Sequence, residues 1–268
     1  MTAGLADKAV AIFWRDLLTS FRYRNGFVIS AIAALGELAA FYYLARAVGP
    51  GYRPQGTDYF LFLLVGTGFF SCFVGTMNAF VRVVQDAQQS GTLEVLMTTS
   101  TPGLVVLILS ALSTMTNNIL QFLFYLAAGL LLFGTSLGSI HVPACVVVLA
   151  LSAIIAAATG ILAAAVQLAF QKGSALVWLF GSSAWLLTGT LFPVEVLPRP
   201  VRFLSDLVPL THCLNAIRPV LLRGASLAVV SPEIEILAVL ALALVPLFGG
   251  IFTWTLDQAR QQGTLSFY

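Results

Sequence analysis

Residues 188–224 read TGTLFPVEVLPRPVRFLSDLVPLTHCLNAIRPVLLRG. Five of the chain's eleven prolines fall here (Pro193, Pro198, Pro200, Pro209, Pro219), with Glu195, Asp206 and four arginines, Arg199, Arg202, Arg218 and Arg223. A continuous helix does not hold proline at that density, because each ring removes an amide donor and clashes with the preceding turn. Yet Leu, Val and Phe recur between the breakers, and strongly apolar sequence lies on both sides. These residues predict two short helices joined by a turn, over 193–222, that dip into a bilayer and return to the same face. Such backbone survives at membrane depth only where protein or a water-filled cavity satisfies it. That points to a transport protein more than to a simple anchor. Glu195 and Asp206 are expected to face protein, water or headgroups, near Arg199, Arg202 or Arg218.

Composition fixes the solvent. Of 268 residues, 59% are hydrophobic and only 9% charged, against about 25% charged in soluble domains. The expected class is an all-α integral membrane protein forming one transmembrane domain over 1–268. The net charge of +2 comes with no basic patch, so nucleic acid is not an expected partner. Cys72, Cys145 and Cys213 sit in or beside apolar segments without paired spacing, which suits reduced thiols rather than disulfides or a metal site.

A spanning helix needs about 20 apolar residues. Six segments qualify: 27–45, 59–81, 104–133, 143–170, 174–191 and 234–256. Residues 5–24 do not. There Val10, Phe13, Trp14, Leu17 and Phe21 follow helical spacing while Lys8, Arg15, Asp16 and Arg22 lie elsewhere, the pattern of an amphipathic helix lying flat on the membrane. It lacks the uninterrupted apolar core of a signal peptide. Lys and Arg in the flanking loops favour both termini in the cytoplasm of a multi-pass protein of the cell (inner or plasma) membrane, since both lysines then fall inside.

On that topology the second and third spans meet in the cytoplasm through RVVQDAQQSGTLEVLMTTSTP, residues 82–102. Residues 86–91 are polar and turn-forming, and 92–97 resume an amphipathic turn or two. A short helix at such a tip suits a groove on a partner; a solvated connection is the plainer reading of the same residues. The tail RQQGTL, 260–265, echoes QQSGTL, 88–93, as two helix ends capped by glycine.

No Gly-x-x-x-x-Gly-Lys-Ser/Thr loop exists, so the chain does not hold ATP phosphates in that manner. Glu37 is the one carboxylate well inside a span, where an ionised side chain costs about 3 kcal/mol. It reads as a proton-coupling group, a polar wall of a substrate path, or a hydrogen-bonded structural acid. Asn117, Asn118 and Gln121 make a polar patch on the third span. Phe69, Phe70 and Phe73 on the second would line a greasy passage or pack against neighbours.

Together these residues resemble the membrane subunit of an ABC-2 type transporter, the type V exporter architecture. The resemblance runs through FRYRN (21–25), GTLEVLMTTSTP (91–102), GSSAWLLTGTLFPVEVLP (181–198) and PLTHCLNAIRPVLLRG (209–224). It implies a connecting helix at 9–24 and a coupling region at 84–100. Within that region Gln88, Gln89, Gly91, Thr92, Leu93 and Glu94 would meet an ATPase. It also implies two re-entrant helices at 194–206 and 209–222, with Pro193, Glu195, Pro198, Pro209 and Arg218 shaping an exit. The implied assembly has two membrane subunits, expected to be identical, and two separate ATPase subunits that hold ATP and magnesium; this chain itself carries no cofactor and catalyses nothing. The implied activity is outward movement of a hydrophobic, lipid-like, drug-like or lipid-linked glycan cargo by alternating access, past Glu37, Phe69, Phe70 and Phe73. A proton-coupled secondary transporter using Glu37 is the alternative.

Overall fold

The computed structural model of the protein describes residues 24–91, 103–135, 137–138, 140–170 and 172–262. The expected surface helix over 5–24 therefore lies outside the described residues apart from Arg24, and so does the coupling segment beyond Gly91.

Helices α1 (Arg24–Val48), α2 (Tyr59–Gln89), α3 (Gly103–Phe133), α4 (Val142–Phe170) and α5 (Gly173–Leu187) come first. The proline-rich stretch then forms a 3-10 turn at Val194–Val196, α6 (Arg199–Leu207) and α7 (Pro209–Arg223), and α8 (Ser231–Gln262) closes the bundle. Helix α4 is the centre, packing against α2, α5, α7 and α8, while α3 covers α2 from the other side. Alanine and glycine on α4 allow this approach, as small residues do between membrane helices. Ala156, Ala163, Ala164 and Ala165 are buried, and a Cβ added at Gly160 would lie 2.7 Å from the Phe80 ring and 3.1 Å from the Met77 Cα.

Local chemistry sets the helix ends. Asp58 caps α2, its carboxylate accepting the Phe60 and Leu61 amides at 2.9 and 3.4 Å. The far end of α2 closes where the Ser90 hydroxyl donates to the Asp86 carbonyl at 2.6 Å and Gly91 turns left-handed at φ +65°. Helix α7 starts on Pro209, whose ring suits a first turn, and ends at left-handed Gly224, with the Ala225 amide reaching back to the Pro219 carbonyl.

Four helices among the described residues (α2, α3, α4 and α8) are long and apolar enough to cross a membrane. Two helix bounds differ from expectation. The expected span at 174–191 stops at Leu187, because the Thr188 hydroxyl bonds back to the Ala184 carbonyl at 2.6 Å and Gly189 takes φ +77°. Its 15 residues rise about 22 Å, short of a ~30 Å hydrocarbon core. The helix expected at 194–206 begins only at Arg199; Leu197 is extended, as a residue before proline is driven out of the helical region, and Pro198 is the extended N-cap.

Both ends of the proline-rich stretch meet the same loop. The Tyr59 hydroxyl donates to the Leu191 carbonyl at 3.3 Å, and the Arg223 guanidinium donates to the carbonyl of Gln55, four residues earlier in the α1–α2 connection. The stretch therefore leaves and rejoins the bundle at one end. Between those points α7 buries Leu210, Cys213, Leu214, Ile217 and Val220 against α2, α4 and α8.

Candidate functional site: a polar cavity, an amide cluster and a buried arginine

A stripe of small residues on α2 creates the cavity. Gly68 and Gly75 lie two turns apart on one face, with Ser71 and Cys72 between them. A Cβ at Gly68 would stand 2.7 Å from Tyr125, and one at Gly75 3.1 Å from the Asn118 side chain, so α3 comes flush with α2 at both points. Between them a half-open cavity of about 300 Å³ remains, lined by Glu37 of α1, Ser71 and Cys72 of α2, and Asn118, Gln121 and Tyr125 of α3. The volume sits at the lower end of the ~300–1,000 Å³ typical of ligand pockets. Among the described residues no basic side chain pairs with Glu37; their one ion pair is Arg260–Asp257.

Phe69, Phe70 and Phe73 lie outside this cavity. Phe69 is buried against Phe122, Phe73 stacks on Phe180 of α5, and Phe70 meets Trp185, so all three fill helix–helix contacts and none lines the cavity. Thus Glu37 joins the polar patch of α3, while the phenylalanines do not join Glu37.

At the end of the bundle opposite the proline-rich stretch lies a cluster of side-chain amides. Gln88 and Gln89 belong to the last turn of α2, eight residues beyond the apolar run at 59–81, because hydropathy marks where apolar residues stop and not where hydrogen bonding does. Gln88 is 2% exposed and accepts the Gln167 side-chain amide at 3.2 Å. The Gln167 oxygen in turn accepts the Gly173 backbone amide at 2.8 Å and the Gln85 side chain at 3.3 Å, and Gln85 also donates to the Ser174 hydroxyl at 2.6 Å. Gln88 therefore ties the end of α2 to the α4–α5 turn, whereas Gln89 and Gly91 are exposed. Thr92, Leu93 and Glu94 lie outside the described residues.

The third site is Arg218, 2% exposed on the buried face of α7. Its guanidinium lies 3.6 Å over the Phe62 ring and donates to the Thr190 carbonyl at 3.0 Å. Gly66 makes room for it: a Cβ there would stand 2.5 Å from Arg218 Nη2 and 2.5 Å from the Thr190 oxygen. Nε has no hydrogen-bond partner. Glu195 is close enough to act on Arg218 electrostatically but forms no ion pair with it, and Asp206 pairs with none of the expected arginines among the described residues. Glu195, Pro198, Arg199, Arg202 and Asp206 are exposed; Pro193 is buried and Pro209 half-buried. The expected cluster of acids and arginines thus reduces to one buried cation held by a ring and a carbonyl. The sequence did carry a signal for it, since Arg218 falls between Leu214 and Leu221 on the apolar stripe of α7.

Among the described residues, a bundle of long apolar helices without strands is that of an integral membrane protein. The family model described as ABC-2 type transporter matches residues 8–222, and the chain belongs to that family as a membrane subunit. Membership makes it a transport component that is not itself catalytic and implies partnership with an ABC ATPase subunit. No curated protein matches the chain at a significant level.

Proposed function

We propose that the chain is the membrane half of an ATP-driven exporter, in which two copies with two ATPase subunits move a hydrophobic, drug-like or lipid-like cargo outward by alternating access. The observation that carries this reading is the amide cluster. It fastens the helix turn leading into 92–100 to the α4–α5 junction, so a push on that segment reaches α4, the helix that contacts most of the bundle. ATP would drive the cycle by binding one arrangement of the ATPase pair better than the other. Magnesium and nucleotide would sit on that partner.

The test uses the complex purified with its ATPase. Glu94→Arg is expected to abolish cargo-stimulated ATP hydrolysis while leaving insertion and basal hydrolysis intact. Unchanged stimulation would sink the docking role of 88–94. Flux that persists without ATP and collapses with an uncoupler would instead favour proton coupling through Glu37.

The proline-rich stretch, on this reading, enters and leaves the membrane by its outer face. Support comes from its two ends meeting one loop, at Tyr59 and Gln55. Cysteines at the exposed positions 198 and 228 should both react with an impermeant thiol reagent added outside, on a background with Cys72 and Cys145 replaced by Ala; Cys213 is fully buried. Labelling from opposite sides would mean that the segment crosses.

A further inference from the structure

We infer that the α1–α2–α3 cavity binds an amphiphilic amine, with its ammonium on Glu37 and its apolar body on Phe122 and Phe124; as a statement about cargo this rests on the exporter reading. The argument is a count of donors and acceptors. The Thr67 hydroxyl donates to the Leu63 carbonyl at 2.8 Å, so its single proton is committed. The 3.2 Å bond between Thr67 and Tyr125 must then have the Tyr125 hydroxyl as donor. That spends the Tyr125 proton inside the protein and leaves its oxygen only lone pairs to offer the cavity. Glu37, when ionised, likewise offers only acceptors. Tyr125 and Glu37 line the same cavity and act on each other electrostatically. Two acceptor groups converge there, one of them anionic, and among the described residues no cation of the chain answers them.

A group bearing several N–H donors and a positive charge satisfies both at once. With water or a bare apolar chain the site favours the neutral acid, so a cation is the ligand that holds Glu37 ionised. The opposite side of the cavity supplies the complement. Asn118 lines the same cavity, and its Nδ2, shielded from solvent, has no hydrogen-bond partner. Phe122 and Phe124 complete the lining with aromatic carbon. The chemistry described is a primary or secondary amine carrying an aromatic or aliphatic body.

Two fluorescent probes that differ only at the nitrogen test this: dansylcadaverine, which carries a terminal ammonium and sulfonyl oxygens, and its N-acetyl derivative, which is neutral. The intact complex in nanodiscs of zwitterionic lipid, without ATP, should bind the amine about tenfold or more tightly than the acetamide, the factor expected of a charge-assisted bond. Glu37→Gln should remove most of that preference and leave the acetamide unchanged. Tyr125→Phe, which deletes one acceptor oxygen, should weaken the amine by a smaller factor. Equal binding of the two probes by the native complex overturns the assignment without any variant having to fold. So does a preference that survives Glu37→Gln in protein of native thermal stability. ATP-driven flux is measured separately on the same preparations. Selective binding without flux would retire the exporter reading and leave the amine site standing, whereas flux of both probes at equal rates, with no effect of Glu37→Gln, would retire the site and leave the exporter.

Discussion

Gln167→Leu is expected to uncouple the complex. The substitution keeps a side chain of similar volume but removes three hydrogen bonds at once: to the Gly173 amide, from Gln85, and to the Gln88 oxygen. It leaves the Gly173 amide and the Gln88 oxygen buried without partners, each costing about 1–3 kcal/mol. A Cβ at Gly173 would already lie 2.5 Å from the Gln167 Cβ, so the turn has no room to repack around the orphaned groups. The end of α2 should then move independently of the α4–α5 turn. Expected results are a lowered thermal midpoint, basal ATP hydrolysis close to native, and stimulation by cargo reduced about tenfold or more, since loss of two such bonds is worth at least 1.4 kcal/mol. Gln167→Glu separates the roles. It keeps both acceptor functions toward Gly173 and Gln85 but faces the Gln88 oxygen with another oxygen, and should fall between native and Leu. If Leu, Glu and native couple equally well, the cluster is a passive brace and the transmission route lies elsewhere.

Gly66→Ala is expected to destabilise the protein strongly. The new Cβ would meet the Thr190 backbone oxygen and the Arg218 guanidinium, both at 2.5 Å. Arg218 has little room to shift, because its guanidinium already rests 3.6 Å over the Phe62 ring, one turn from Gly66 on α2. Relief requires α7 and the turn after α5 to shift together, and overpacking of this kind costs about 1–3 kcal/mol or more. Shortening the cation does not help. In the double variant Gly66→Ala with Arg218→Met the collision with Thr190 remains, so rescue by that second change would show that the side chain alone set the cost. Thermal unfolding in nanodiscs gives the stability term, and faster thiol labelling at a cysteine placed at 210 reports whether α7 has lifted, Leu210 being fully buried in the native bundle.

The helical class and the interruption after α5 were legible because both rest on local physics: long apolar runs, and proline at a density no helix accepts. Helix ends were less so. The apolar run stops near Val81 while α2 continues to Gln89, because Gln85 and Gln88 find side-chain partners on α4 and α5 in place of lipid. The span expected to reach Leu191 ends four residues early for a reason written in two residues, Thr188 and Gly189, whose capping role is invisible to a hydropathy count. The cavity could not be read from spacing at all. Glu37, Ser71 and Asn118 come from three helices, and what brings them together is the absence of side chains at Gly68 and Gly75. Arg218 was singled out with the exposed Arg199 and Arg202, though only Arg218 lies on the apolar stripe of its helix. Phe69, Phe70 and Phe73 make the neighbouring-ring contacts that the sequence also allowed for them.

The notch at Gly66 has a consequence for how the chain is made. Helix α2 is synthesised early, and the arginine that fills the notch arrives more than half the chain later. Until then Phe62 and Gly66 present an open groove, and a partly synthesised chain ending before α7 has nothing to place there. The newborn α2 must therefore wait beside the insertion machinery or another helix with one flank unsealed. The notch is filled late, when α7 delivers its cation and the Arg223–Gln55 tie fastens the stretch, before α8 closes the bundle. Quality control in the membrane would have one groove to inspect, occupied in finished molecules and vacant in truncated ones.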